Sequence, residues 1–95
     1  MNVYFSSHRG PTVMSRDVAK KILEKLLRHE YIGGRHTAFE NVSRGFPKHL
    51  IGEVRTTAKE LVKMNLIIQK ITSYGLQVSL NPRKMEQIEK IIRDP

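Results

Sequence analysis

No cysteine occurs in the 95-residue chain, which removes disulfides, thiolate metal sites and thiol nucleophiles together. No apolar run approaches the roughly 18 residues that a membrane-spanning helix needs, and the first residues lack the basic start and apolar core of a secretory signal. Low-complexity tracts, internal repeats and linker-like stretches are missing too. These absences lead to the expectation of a soluble, cytoplasmic, single-module protein with no cofactor and no membrane partner. Acidic residues are scarce: 9 Asp and Glu stand against 17 Lys and Arg, a net charge of +8. A polyanionic partner is expected unless that charge merely keeps the surface solvated. What is present is enough Ile, Leu and Val, within 39% apolar residues, to offset the entropy of ordering one modest core.

Catalysis finds no support in the residue pattern, and an enzyme is not expected. Hydrolysis needs convergent carboxylates or a nucleophile beside a base, and phosphate chemistry a Gly-rich loop or a carboxylate-bound metal. The pair Gly33-Gly34 is explained as a helix exit. His8, His29, His36 and His49 follow no ligand spacing and have no cysteine to complete a site, so no metal is expected. His36 is expected to hydrogen-bond a backbone group.

Residues 1–14 read as an arm whose apolar cluster Val3, Tyr4 and Phe5 needs a partner, either the domain's own edge strand or a second copy. Ser15 is a good N-cap, Asp17 complements the helix dipole, and Ala19, Ile22, Leu23, Leu26 and Leu27 recur at helical spacing. This predicts a helix over residues 16–32, with Gly33 and Gly34 supplying a left-handed exit. An extended stretch over 35–39 and a helical turn over 40–44 follow, and Gly45-Phe46-Pro47 breaks the chain. From Lys48 to near Asn65, Leu50, Val54, Ala58, Leu61 and Val62 share one side of a helix, with Ile51 at its margin. At about 100° per residue, Gly52, Thr56, Lys59 and Lys63 lie opposite them, with Lys48 and Arg55 on the flank. The alternative is a solvated face whose cations pair with Glu53 and Glu60 at helical spacing.

Residues 66–71 and 76–80 read as two strands joined by Thr72-Ser73-Tyr74-Gly75. Asn81-Pro82 then reads as an N-cap followed by proline at the first helical position. The helix it opens carries Met85, Ile88, Ile91 and Ile92 on its apolar side. That side either caps the first helix within the chain or meets a second copy. With the arm also seeking a partner, a homodimer is expected, with Val3, Tyr4, Phe5, Met85, Ile88 and Ile92 as its contacts.

The stretch from Glu53 to Ile67, followed by a hairpin ending in Val78-Ser79-Leu80, resembles the recognition helix and wing of the winged helix-turn-helix superfamily. There a Leu-x-x-x-x-Leu-Ile pattern, here Leu61, Leu66 and Ile67, runs the helix straight into the first wing strand. The combination of His36-Thr37 with Gly45-Phe46-Pro47-Lys48-His49 is similar to small archaeal winged-helix proteins that bind DNA. The resemblance covers about residues 15–81; the helix before the recognition helix, between Phe39 and Pro47, is shorter than members commonly have. It implies an α+β, mostly α fold: a three-helix core and β-hairpin wing over 15–81, an extra C-terminal helix over 82–95 and the arm over 1–14. It also implies docking of the second helix in a major groove, through Lys48, His49, Arg55, Thr56, Lys59 and Lys63, with Lys70 and Tyr74 on the wing. Tyr74 could instead pack on its own hairpin. Duplex DNA is the expected partner, possible use as a transcriptional regulator included; RNA, as in ribosome-associated winged helices, and a protein-interaction role are the alternatives. The lack of a basic tail favours DNA over RNA.

Overall fold

The computed structural model describes residues 16–94; the expected contacts at Val3, Tyr4 and Phe5 lie outside them. The fold is α+β and mostly helical, with four α-helices and one small antiparallel sheet among these residues. Helix α1 (Arg16–Arg28) buries Val18, Ala19, Ile22, Leu23 and Leu26 on a single stripe, the face the spacing predicts. It stops four residues earlier than expected, and its left-handed exit is Glu30 at φ 59°. The Tyr31 amide donates to the Leu26 carbonyl at 2.9 Å and the Glu30 amide to that of Leu27 at 2.9 Å, the paired bonds that close a helix through a left-handed residue. The cause is tertiary. Tyr31 and Ile32 must run extended, because the Leu80 amide donates to Tyr31 O at 2.8 Å and the Gly33 amide to Leu80 O at 3.0 Å.

Strand β1 (Thr37–Ala38) and the four-residue helix α2 (Glu40–Ser43) follow. A helix this short cannot hold itself, since it has barely one internal hydrogen bond. Two side chains support it: Asn41 Nδ2 donates to Thr37 Oγ1 at 2.9 Å, and Lys25 Nζ, from α1, donates to the carbonyls of Asn41 and Arg44. After Pro47 the chain makes one 3-10 turn (Lys48–Leu50) before α3 (Ile51–Lys63) begins. The helix expected from Lys48 is thus tighter in its first turn. It ends as α1 does: Asn65 takes φ 64°, Leu66 N–H reaches Leu61 O at 3.0 Å, and Asn65 N–H reaches Val62 O at 2.9 Å. The Leu61 to Leu66 spacing is therefore the apolar contact that accompanies such a closure, and both leucines are fully buried.

Strands β2 (Ile67–Thr72) and β3 (Gly75–Leu80) form a hairpin with Ile67 opposite Leu80 and Thr72 opposite Gly75. The connection is Ser73-Tyr74, two residues tighter than the sequence suggests. Strand β1 pairs with the other edge of β3, Thr37 opposite Val78, giving the order β1-β3-β2. Asn81 caps the chain as expected, its side chain accepting from Arg83 N–H at 3.0 Å, and a 3-10 turn (Pro82–Lys84) leads into α4 (Met85–Arg93).

Ile22 and Leu23, Val54 and Leu61, Leu66, Val78 and Leu80, and Ile88 form one core from α1, α3, the hairpin and α4. Ile88 is fully buried there, with Met85, Ile91 and Ile92 packed around it. Of the expected homodimer contacts Met85, Ile88 and Ile92, Ile88 is taken up by the chain's own core: α4 packs on α1 of its own chain, and Arg16 pairs with Asp94. Among the described residues no helix is long and apolar enough to cross a membrane.

Candidate nucleic-acid interface

Helix α3 divides its residues cleanly. Val54, Thr57, Ala58 and Leu61 are buried, whereas Gly52, Glu53, Arg55, Thr56, Lys59 and Lys63 are exposed. Thr57, 1% exposed, is a core position its polarity conceals in the sequence; only its place between Val54 and Leu61 on the stripe could have marked it. Lys48 and His49 stand exposed on the 3-10 turn at the start of the helix. Neither that turn nor α3 has a capping side chain, so two basic residues sit at the positive end of the helix dipole, where an anion is favoured.

Acid pairing is sparse on this face. Lys63 Nζ lies 3.4 Å from Glu60 Oε2. Among the described residues Lys48, Arg55 and Lys59 have no ion pair, and neither has Glu53. The reading of a face neutralised by Glu53 and Glu60 thus applies to Lys63 alone.

The hairpin stands beyond the core. In β2 only Ile67 is buried, and Ile68, Gln69, Lys70 and Ile71 are all exposed. Lys70 lies opposite Gln77, on the sheet face turned away from Val78 by the alternation of strand side chains. At the tip, Thr72 Oγ1 donates to Gly75 O at 3.0 Å and accepts from Tyr74 N–H at 3.1 Å. Tyr74 is 92% exposed and Ile71 85%, so the tyrosine does not pack on its own hairpin. Composition marked β2 as a strand without revealing that Ile68 and Ile71 would be left in solvent.

His36 Nδ1 lies 3.2 Å from Gln77 Oε1; its partner is a side chain rather than the expected backbone group, because β1 brings it beside β3. His29 is exposed near the Tyr31 ring. No cluster of three or more His, Cys, Asp or Glu able to hold a metal occurs among the described residues. Lys48, His49, Arg55, Thr56, Lys59 and Lys63 thus share one helix and its first turn, with Lys70 and Tyr74 on the hairpin. Compared with protein-family models, curated proteins and solved structures, the chain finds no match.

Proposed function

We propose that this chain is a winged helix-turn-helix protein that binds nucleic acid, duplex DNA first, with α2 and α3 as the helix pair and β2–β3 as the wing. The element order, helix, short strand, helix, helix, hairpin, with β1 added to the hairpin, supports that fold. The observation that carries the function is the solvent face of α3 and the 3-10 turn before it, where Lys48, Arg55 and Lys59 stand exposed with no acid partner among the described residues.

A helix about 10–12 Å across matches a B-form major groove about 12 Å wide. In that pose Lys48 and His49 hold phosphates at the helix start, and Arg55 presents its fork to a guanine edge. Thr56 reaches a base or a phosphate. Lys70 and Tyr74 reach the flanking backbone or minor groove. Helix α2 has only four residues, so little of the backbone grip comes from it. Binding is better supported than gene regulation, since only Arg55 and Thr56 could read bases. RNA is less favoured because A-form major grooves exclude a helix.

The test is fluorescence anisotropy with a random duplex at several salt concentrations. Neutralising about five phosphates gives a log-log salt slope of about −4 to −5. Lys48→Glu with Lys59→Glu abolishes binding while leaving the thermal melt unchanged. No interaction at low salt, or one indifferent to salt, refutes the proposal.

A further inference from the structure

A second group of cations lines a groove formed by α1, the end of α2 and the turn before α3. Lys21, Lys25 and Arg28 project from α1 and Arg44 from the end of α2 into one open groove of about 540 Å³, completed by Phe46, Pro47 and Leu50. The volume lies within the range of small-molecule sites. Asp17 and Glu24 also line it, yet neither pairs with a cation of the groove among the described residues. Lys25 spends two N–H donors on the Asn41 and Arg44 carbonyls and has a third. Burial first, and then the nearby charges of Arg44 and Arg28, hold its proton affinity below the usual lysine range, so like charge adds to desolvation at this ammonium. An anion seated among them relieves that repulsion.

The geometry points to this groove as a binding site for a small organic phosphate. Arg28 and Arg44 supply planar forks suited to phosphate oxygens and Lys21 a further charge. Val18, Phe46 and Leu50 form an apolar floor for the body of the ligand. That floor favours a free phosphate monoester with an apolar group over the backbone of a nucleic acid. The inference is independent of the reading of α3.

The test is amide chemical-shift mapping of the full chain with phenyl phosphate and with inorganic phosphate, against sodium chloride of equal ionic strength. Saturable shifts confined to residues 17–28 and 44–50, tighter for phenyl phosphate, are the expected result. Arg28→Gln with Arg44→Gln, which leaves the backbone cap on Arg44 in place, weakens phenyl phosphate at least about tenfold, the loss of one charge-assisted bond or more. Its thermal melt stays that of the parent. Shifts no different from those of chloride, equal affinity in the double variant, or groove shifts produced by a DNA duplex alone each overturn the inference. Arg55→Glu with Lys59→Glu, exposed on α3 and outside the groove lining, leaves the phosphate response intact, which separates this site from the α3 face.

Discussion

At the scale of single residues, Lys25 does the most that its type does not announce. Its ammonium donates to the Asn41 carbonyl, which otherwise accepts only the Arg44 N–H at 3.3 Å, and to the Arg44 carbonyl at the end of the four-residue α2. Lys25→Met removes both bonds and costs about 1–2 kcal/mol, measurable by urea unfolding. Burial, then the charges of Arg44 and Arg28, lowers its proton affinity below that of an ordinary lysine. Folding therefore favours release of this proton, and the unfolded chain binds more protons in the window just below the ordinary lysine pKa of about 10.4. The contribution of Lys25 to stability rises as pH climbs through that window. Thermal melts should show the rise in the parent and not in Lys25→Met; equal rises in both would remove Lys25 as the cause. Thr57 offers the opposite case. Its side chain is buried, and among the described residues it makes no hydrogen bond. Thr57→Val keeps the shape, removes the unmatched hydroxyl and stabilises by about 1 kcal/mol. Neither residue was legible in the sequence: a lysine on a helix reads as solvated surface and a threonine beside Thr56 as polar face, and only the neighbouring element decides otherwise.

At the scale of elements, the places where helices end were harder to read than the helices themselves. The stripe of Ile22, Leu23 and Leu26 gave α1 its face, and Asn81-Pro82 marked the final turn because capping chemistry is local. Gly33-Gly34, by contrast, attracted the exit of α1 away from Glu30, since the demand for an extended Tyr31 comes from β3, far along the chain. Glu30→Gly relieves the left-handed glutamate and stabilises by roughly 0.5–1 kcal/mol, with the ion pair to Arg35, 4.0 Å apart and exposed, too weak to offset it. The hairpin gives a second check. Gly75 has φ +108°, and a Cβ there would touch nothing. Gly75→Ala therefore costs about 1–3 kcal/mol through the backbone alone, read by urea unfolding. A neutral substitution would mean the tip rearranges freely.

At the scale of the whole molecule, the outward face of α3 was legible because helical period and charge are both written in the chain, whereas the use of α4 was not. Met85, Ile88 and Ile92 form an apolar stripe equally suited to α1 or to a second copy, and periodicity carries no information about which. With Ile88 inside the core, Ile88→Ala costs about 2–5 kcal/mol without changing the sedimentation coefficient. A change of mass with retained stability would return α4 to an intermolecular role. The exposed hairpin has a consequence for the protein as a colloid. Ile71 and Tyr74 form an adhesive tip on a particle of charge +8, and mutual repulsion keeps such tips apart only while it reaches past the side chains. That reach falls from about 10 Å at 0.1 M salt to about 3 Å at 1 M. Added salt thus turns net repulsion between molecules into attraction, and the second virial coefficient from light scattering falls with salt more steeply for the parent than for Ile71→Thr with Tyr74→Ser.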